Sequence, residues 1–226
     1  MSTDGEIVRA GFERKYLVPE GAAETLLSVV RTLLPPDPYG GRYTVASLYL
    51  DTPDLASYRR EVQGKWRLRR YSTTETVFAE FKAKPEPGKV HKRRTALAPE
   101  ACLALPAGKP SWFQRAIHKQ SLAPTRLVSY TRDAFVGELG GAEVRLTLDH
   151  DIQASACQDF ILPGMVPTGV PLTAGRILEI KFEHTLPAAL AQLTAELGLL
   201  PESFSKYRTA IEKIPPPRGY PTGARG

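Results

Sequence analysis

The sequence predicts an α+β protein: an antiparallel eight-stranded β-barrel tunnel with inserted and C-terminal helices. Three observations predict it. Short segments alternate charged with apolar side chains, the period of a strand with one polar face. Helical periodicities fall between these segments as insertions, without the strand–helix alternation that a parallel sheet needs. The polar faces also share a sign: ten Lys and Arg lie between Lys65 and Arg94, opposed only by Glu75, Glu80 and Glu86.

Phe12-Glu13-Arg14-Lys15-Tyr16-Leu17-Val18 is the first strand. Residues 22–34 place Leu26, Leu27, Val30 and Leu33 at helical spacing before Pro35-Pro36 stops them. Tyr43 to Leu50 is a strand rich in aromatic and β-branched residues. A short helix is expected over 54–62, with Thr52 as N-cap and Pro53 in its first position, and Gly64 closes it. Strands follow at 66–71, 76–84 and 90–97, the last two joined by the turn Pro85-Glu86-Pro87-Gly88. Residues 110–121 read as a helix with Trp112, Phe113, Ala116 and Ile117 on its apolar side. Strands 127–136 and 143–150 form a hairpin across Gly137–Gly141. A loop rich in Pro and Gly over about 158–175 leads to the strand 176–183. A helix at 188–197 ends at Gly198, and Ser203 or Ser205 caps a last helix through Lys213. The expected organisation is one domain over 10–213 and a disordered tail over 214–226.

Composition sets limits. The chain has 226 residues, 42% hydrophobic and 24% charged, with a net charge of +6, and its pI is about 9.3. An excess of this sign favours anionic partners without choosing among nucleic acid, phosphates and membrane surface. Cys102 and Cys157 show no zinc spacing, the N-terminus has no signal pattern, and no apolar run approaches a membrane span. A cytoplasmic protein with free thiols is expected. Neither Gly-x-x-x-x-Gly-Lys-Ser/Thr nor Gly-x-Ser-x-Gly occurs. Asp149-His150-Asp151 reads as strand-end carboxylates beside a turn rather than a metal site.

The polar strand faces form a series. Glu13 pairs with Lys15, Arg67 with Arg69, Glu80 with Lys82, Lys92 with Arg94, and Tyr130 with Arg132. Arg145, Thr147 and Asp149 follow, then Glu179, Lys181 and Glu183. Any one such strand is commonly a solvated sheet face carrying cross-strand salt bridges. Six in agreement, with helices available to cover the apolar side, place the charges inside a barrel. An interior of Arg and Lys is tolerable only if water or an anion occupies it, because unpaired buried charge costs several kcal/mol per ion. Phosphate chains suit it, since Arg offers a planar fork and Lys a point charge. Glu13, Glu80 and Glu179 are poor phosphate ligands alone but suit Mg²⁺ or Mn²⁺, which take hard oxygen donors.

These segments, in order, resemble the catalytic domain of the vacuolar transporter chaperone (VTC) polyphosphate polymerases, within the triphosphate tunnel metalloenzymes. The resemblance rests on Phe12-Glu13-Arg14-Lys15-Tyr16, Ser47-Leu48-Tyr49-Leu50-Asp51-Thr52, Lys65-Trp66-Arg67-Leu68-Arg69, Glu80-Phe81-Lys82 and Lys92-Arg93-Arg94. It continues through Tyr130-Thr131-Arg132-Asp133-Ala134-Phe135, Val144-Arg145-Leu146-Thr147-Leu148-Asp149, Ile177-Leu178-Glu179-Ile180-Lys181 and Ser205-Lys206-Tyr207. It implies a divalent metal and transfer of the terminal phosphoryl group of ATP to a polyphosphate chain, with polyphosphate or pyrophosphate as partner. Carried over by position, Lys15, Arg67, Arg69, Lys82, Lys92, Arg132, Arg145 and Lys206 bind phosphates, joined by Arg94. Tyr130 and Ser205 donate hydroxyl hydrogen bonds, Glu179 is the principal metal ligand, and Lys15, Arg69, Glu179 and Lys206 are the catalytic set. No sensor domain is read ahead of residue 10 and no membrane segment after 213, so a stand-alone bacterial-type version is expected.

Two other classes compete. An inorganic or nucleoside triphosphatase uses the same residues with water as acceptor. A non-catalytic module would bind polyphosphate or RNA, but RNA readers stack bases on aromatics among the basic residues. Trp66 and Phe81 fall on the face opposite the charges, so no specific nucleic acid is expected.

Overall fold

The computed structural model describes residues 5–83, 86, 89–105, 111–163 and 168–214. The chain runs β1 (Gly5–Ala10), β2 (Phe12–Val18), α1 (Glu20–Leu33), β3 (Arg42–Asp51), α2 (Ala56–Arg59), β4 (Lys65–Tyr71), β5 (Val77–Ala83) and β6 (Lys89–Leu97). It continues with α3 (Pro99–Leu103), α4 (Trp112–Gln120), β7 (Ala123–Leu139), β8 (Ala142–Ala156), β9 (Val170–Pro171), β10 (Arg176–Phe182), α5 (Ala188–Glu196) and α6 (Lys206–Lys213). All ladders are antiparallel, in the order β1-β6-β5-β4-β3-β7-β8-β10-β2, with β9 added on β8. Lys82 of β5 meets Glu13 of β2 at 3.4 Å, so the sheet curls until its halves face each other. Among the described residues no ladder joins β1 to β2. The hydrogen-bonded path is open there, and the two end strands follow one another through Gly11.

Alternation sorts each strand into two faces, and the helices cover the outer one. Leu26, Leu27 and Val30 of α1 and Leu190 and Leu193 of α5 pack on Leu146, Leu148, Leu178 and Ile180 of β8 and β10. On the other side Trp112, Phe113 and Ile117 of α4 cover Leu48, Trp66, Leu68 and Ala79. Each such fully buried side chain stabilises the fold by about 1.5–3 kcal/mol relative to exposure. A capping box starts α4, with Ser111 Oγ accepting from the Gln114 amide at 3.2 Å and Gln114 Oε1 accepting from the Ser111 amide at 3.1 Å.

The third apolar cluster lies inside. Tyr207, Ala210 and Ile211 of α6 pack on Val45 and Tyr49 of β3, Val128 of β7 and Ile177 of β10. Tyr49 is paired with Arg67 and Ile177 with Asp149, so these residues share the charged face. One end of the interior is therefore filled by α6 instead of being charged throughout. Arg126 is fully buried and fastens the helix, donating to the carbonyls of Ala210 at 3.4 Å and Ile214 at 2.7 Å.

Several expectations change in detail. The helix expected over 54–62 is a single turn, because Leu55 (φ 60°) and Arg60 (φ 65°) are left-handed at its ends. Its amides are capped from upstream: Asp51 accepts from Ser57 and Tyr58, and Thr52 from Ala56. Strands β7 and β8 outrun 127–136 and 143–150, since a tight turn at Gly140 (φ 63°) and Gly141 (φ 79°) lets them pair almost to the tip. The loop at 158–175 holds the short β9, and β1 lies ahead of the first strand read from sequence. Ser205, not Ser203, caps α6, accepting from the Arg208 amide at 3.3 Å. The turn at 85–88, apart from Glu86, and the tail from 215 onward lie outside the described residues.

Candidate active site

Neighbouring strands bring the inward residues into rows. Arg67, Glu80 and Arg94 stand side by side across β4, β5 and β6. Lys15, Glu179 and Thr147 form a row across β2, β10 and β8, and Glu13, Lys181 and Arg145 the next. Three ionic centres result.

The first is built on Glu80, which is 1% exposed. Arg67 reaches it at 2.6 Å, Lys92 at 3.3 Å, Arg94 at 3.4 Å and Arg69 at 3.9 Å. Burial alone would raise its carboxyl, but Arg67 and the other cations hold it well below the usual range. Arg69 also donates to Ser47 Oγ at 3.0 Å. Nε and Nη2 of Arg94 are buried without a hydrogen-bond partner.

The second centre joins Glu13 and Glu179. Lys15 lies 3.2 Å from Glu13 and 3.5 Å from Glu179, Lys181 is 3.0 Å from Glu179, and Lys82 is 3.4 Å from Glu13. Burial and mutual repulsion push the Glu13 carboxyl up, and the surrounding lysines bring it below its ordinary value. Glu179 is likewise held well below its range against burial, chiefly by Lys181 and Lys15. Lys82 goes the other way: burial, with Lys181 and Arg67 nearby, lowers its ammonium to about 8 despite Glu13.

Asp149, wholly buried, makes the third. Arg132 grips it with two donors at 2.6 and 2.9 Å, and Lys206 Nζ lies at 2.5 Å. Against burial, these cations take its carboxyl down to about 2. Tyr130 accepts from Arg132 at 3.4 Å, and Lys206 sits 4.5 Å from the centre of its ring. Arg145 turns toward the rim, donating to Asp37 at 3.1 Å and to the Tyr43 hydroxyl at 3.3 Å.

Cations outnumber carboxylates here. Lys15, Arg67, Arg69, Lys82, Lys92, Arg94, Arg132, Arg145, Lys181 and Lys206 face Glu13, Asp37, Glu80, Asp149 and Glu179. Two phenols register the surplus. Burial should raise Tyr49 and Tyr71, yet Arg67 and Arg69 beside the first, and Arg69 and Arg94 beside the second, bring each down to about 8. The wall is built to receive negative charge.

A family model described as the VTC domain matches residues 11–214. The chain belongs to the VTC domain family. Solved structures share the fold of this VTC domain at low identity. A proposed adenylate cyclase from Bacillus halodurans is 18% identical with a TM-score of 0.55, over 88% of this chain and 95% of that one. A proposed adenylyl cyclase from Hippeastrum that reveals a dominant triphosphatase activity is 16% identical with a TM-score of 0.53, over 93% and 99%. The PH1819 protein from Pyrococcus horikoshii OT3 is 16% identical with a TM-score of 0.51, over 89% and 99%. Among curated proteins none is significantly similar.

The VTC domain distributes the predicted Lys15, Arg67, Arg69, Lys82, Lys92, Arg94, Tyr130, Arg132, Glu13, Glu80, Glu179 and Lys206 over these three centres. Ser205 lies beside Lys206 and accepts from Lys65 Nζ at 2.8 Å. Arg145 sits apart, at the rim. Asp149 is a correction: it stands inside β8, not at a strand end, and holds Arg132 and Lys206 in place. His150 faces away, between Asp133 at 3.2 Å and Asp151 at 2.8 Å.

A divalent cation fits some of these carboxylates better than others. Among the described residues no three His, Cys, Asp or Glu side chains gather as a complete metal set. Glu179 and Glu13 nevertheless repel one another with Lys15 reaching both, a two-carboxylate donor set of the kind Mg²⁺ uses when phosphates supply the other ligands. Glu80 is enclosed by cations and acts as their counter-ion. No helix among the described residues is long and apolar enough to cross a membrane.

Proposed function

We propose that this VTC domain is a metal-dependent phosphotransferase that moves the terminal phosphoryl group of ATP onto polyphosphate or pyrophosphate, working in the cytoplasm as one domain over 10–213. The observation that carries the reading is the cation surplus on every wall around the Glu13–Glu179 pair. Arg67, Arg69, Lys92 and Arg94 hold donor phosphates from one side, and Arg132 and Lys206 from the other. Glu179, with Glu13, holds Mg²⁺ or Mn²⁺, which when bound neutralises charge on the donor phosphates. Lys15 stands against both carboxylates, where its ammonium reaches the transferred group. Charge spreads over the equatorial oxygens in the transition state, and Lys15, Arg69 and Lys206 stabilise it without a protein nucleophile. An acceptor phosphate oxygen attacks in line, the bond to the leaving ADP oxygen breaks, and the chain lengthens by one phosphate.

A second reading, triphosphatase, is favoured by α6, which fills one end of the interior and suits a short substrate. Incubation with ATP and Mn²⁺, resolved on a polyacrylamide gel, separates the two. A ladder of long phosphate chains is expected; orthophosphate alone would replace polymerase by triphosphatase. No turnover of ATP, other triphosphates or tripolyphosphate would leave only a polyanion-binding module.

A further inference from the structure

The inner wall carries aromatic residues that phosphate transfer does not use. Tyr71 follows Arg67 and Arg69 on the inner face of β4, and Phe78 precedes Glu80 on that of β5. Their rings meet edge-on at 5.9 Å. The Arg94 guanidinium lies 3.4 Å from the centre of Phe78 and 5.7 Å from that of Tyr71. Tyr39 stacks on Tyr71 at 5.6 Å and 13°, and is 38% exposed. An unbroken aromatic series thus leads from solvent to the cations around Glu80.

Its outer member is held in place. Asp37 accepts from the Tyr39 amide at 3.1 Å and from the Tyr43 hydroxyl at 2.9 Å, and Tyr43 packs edge-on against Tyr39. The following turn needs its glycines: Gly40 and Gly41 have φ of 95° and 77°, and a Cβ on Gly41 would lie 2.6 Å from Pro36 Cβ. Just inside, the Arg94 guanidinium faces Glu80 through Nε at 3.4 Å and keeps Nη2 buried without a hydrogen-bond partner, a donor that a phosphate oxygen would satisfy. A ligand that meets both features carries phosphates at one end and a flat ring at the other.

We propose that Tyr39 is a nucleobase platform: the base of a nucleoside triphosphate stacks on its exposed ring while the phosphates run inward over Arg94. The inference rests on the phosphate-binding reading of the tunnel and adds the residue that receives the base, which separates a nucleoside triphosphate from an inorganic one. Stacking uses the π-face that every base has, so base identity is tolerated.

Calorimetric titration without divalent metal tests it, using ATP and inorganic tripolyphosphate on the unaltered protein, Tyr39→Ala and Tyr39→Phe. Tyr39→Ala is expected to weaken ATP about tenfold and leave tripolyphosphate unchanged, while Tyr39→Phe keeps the ATP affinity. Unchanged tripolyphosphate binding also reports an intact tunnel. A loss shared equally by both ligands, or no loss for ATP, overturns the platform. Should the unaltered protein bind neither ligand, the tunnel reading and the platform fall together. If it binds both and Tyr39→Ala alters neither, the tunnel reading stands and only the platform falls.

Discussion

Glu80 and Glu179 look into one interior from different walls, and their neighbours give them different chemistry. Around Glu80 stand three guanidinium groups and Lys92, leaving no side from which a metal could approach without meeting a cation. Glu179 has lysines in contact, feels Arg132 at longer range, and has a second carboxylate, Glu13, within repelling range. Both carboxyls are held ionised against burial. What separates them is the partner: an arginine fork fixes a carboxylate in place, whereas the flexible lysine stem can swing off when a phosphate competes for it. Identical side chains at alternating strand positions thus become a structural counter-ion in one place and a candidate ligand in the other.

The contrast can be tested by removing each charge in turn. Glu179→Gln is expected to lower metal-dependent turnover of ATP by about a hundredfold or more, with metal-free tripolyphosphate binding retained. Retained turnover would move the metal to Glu13 or Glu80 and erase the distinction. Glu80→Gln leaves its cations buried without a counter-ion. It should cost about 3–5 kcal/mol in urea unfolding, partly recovered by added tripolyphosphate. A loss below about 1 kcal/mol would mean that water already serves those cations.

A smaller effect follows from Lys82, whose ammonium titrates at about 8. Tripolyphosphate affinity should fall a few-fold as pH rises from about 7 to 9, and Lys82→Met should bind more weakly with a flat profile there. An unchanged slope in Lys82→Met would assign the titration to another group. The stability sign is opposite. Between about 8 and the ordinary 10.5 the unfolded chain holds a proton that the folded one has lost, so this lysine makes stability rise with pH across that window.

Local alternation was enough to find most of this interior, because a period of two is visible without knowing the partner strand. It placed Arg67, Glu80 and Arg94 on inward faces, and the ladders set them abreast. It also puts Phe78 with Glu80 and Tyr71 with Arg69, so the inward aromatics are as legible as the outward Trp66 and Phe81. Pairings between distant segments were not legible. Asp149 meets a lysine 57 residues away, and Asp37 meets an arginine 108 residues away. Nor does any local pattern announce that α6 turns its apolar face into the tunnel instead of against an outer wall. The short α2 is hidden for a related reason: Asp51 looks like the end of a strand but caps the turn that follows and accepts the Tyr207 hydroxyl at 2.6 Å.

The ties of α6 also bear on how the protein comes into being. Lys15, near the start of the chain, donates to the Phe204 carbonyl across 189 positions, and Lys206 completes the contacts of Asp149. Such distant closures are made late, since much of the chain must be ordered before they form. During synthesis the inner wall exists only in part until the last helix has left the ribosome. A truncated product lacking 206–213 would lose the Asp149 partner Lys206 together with the apolar fill of Tyr207, Ala210 and Ile211. Incomplete chains would therefore lack both the finished wall and the packing that holds it, which leaves a cell little opportunity to accumulate a half-made form of this domain.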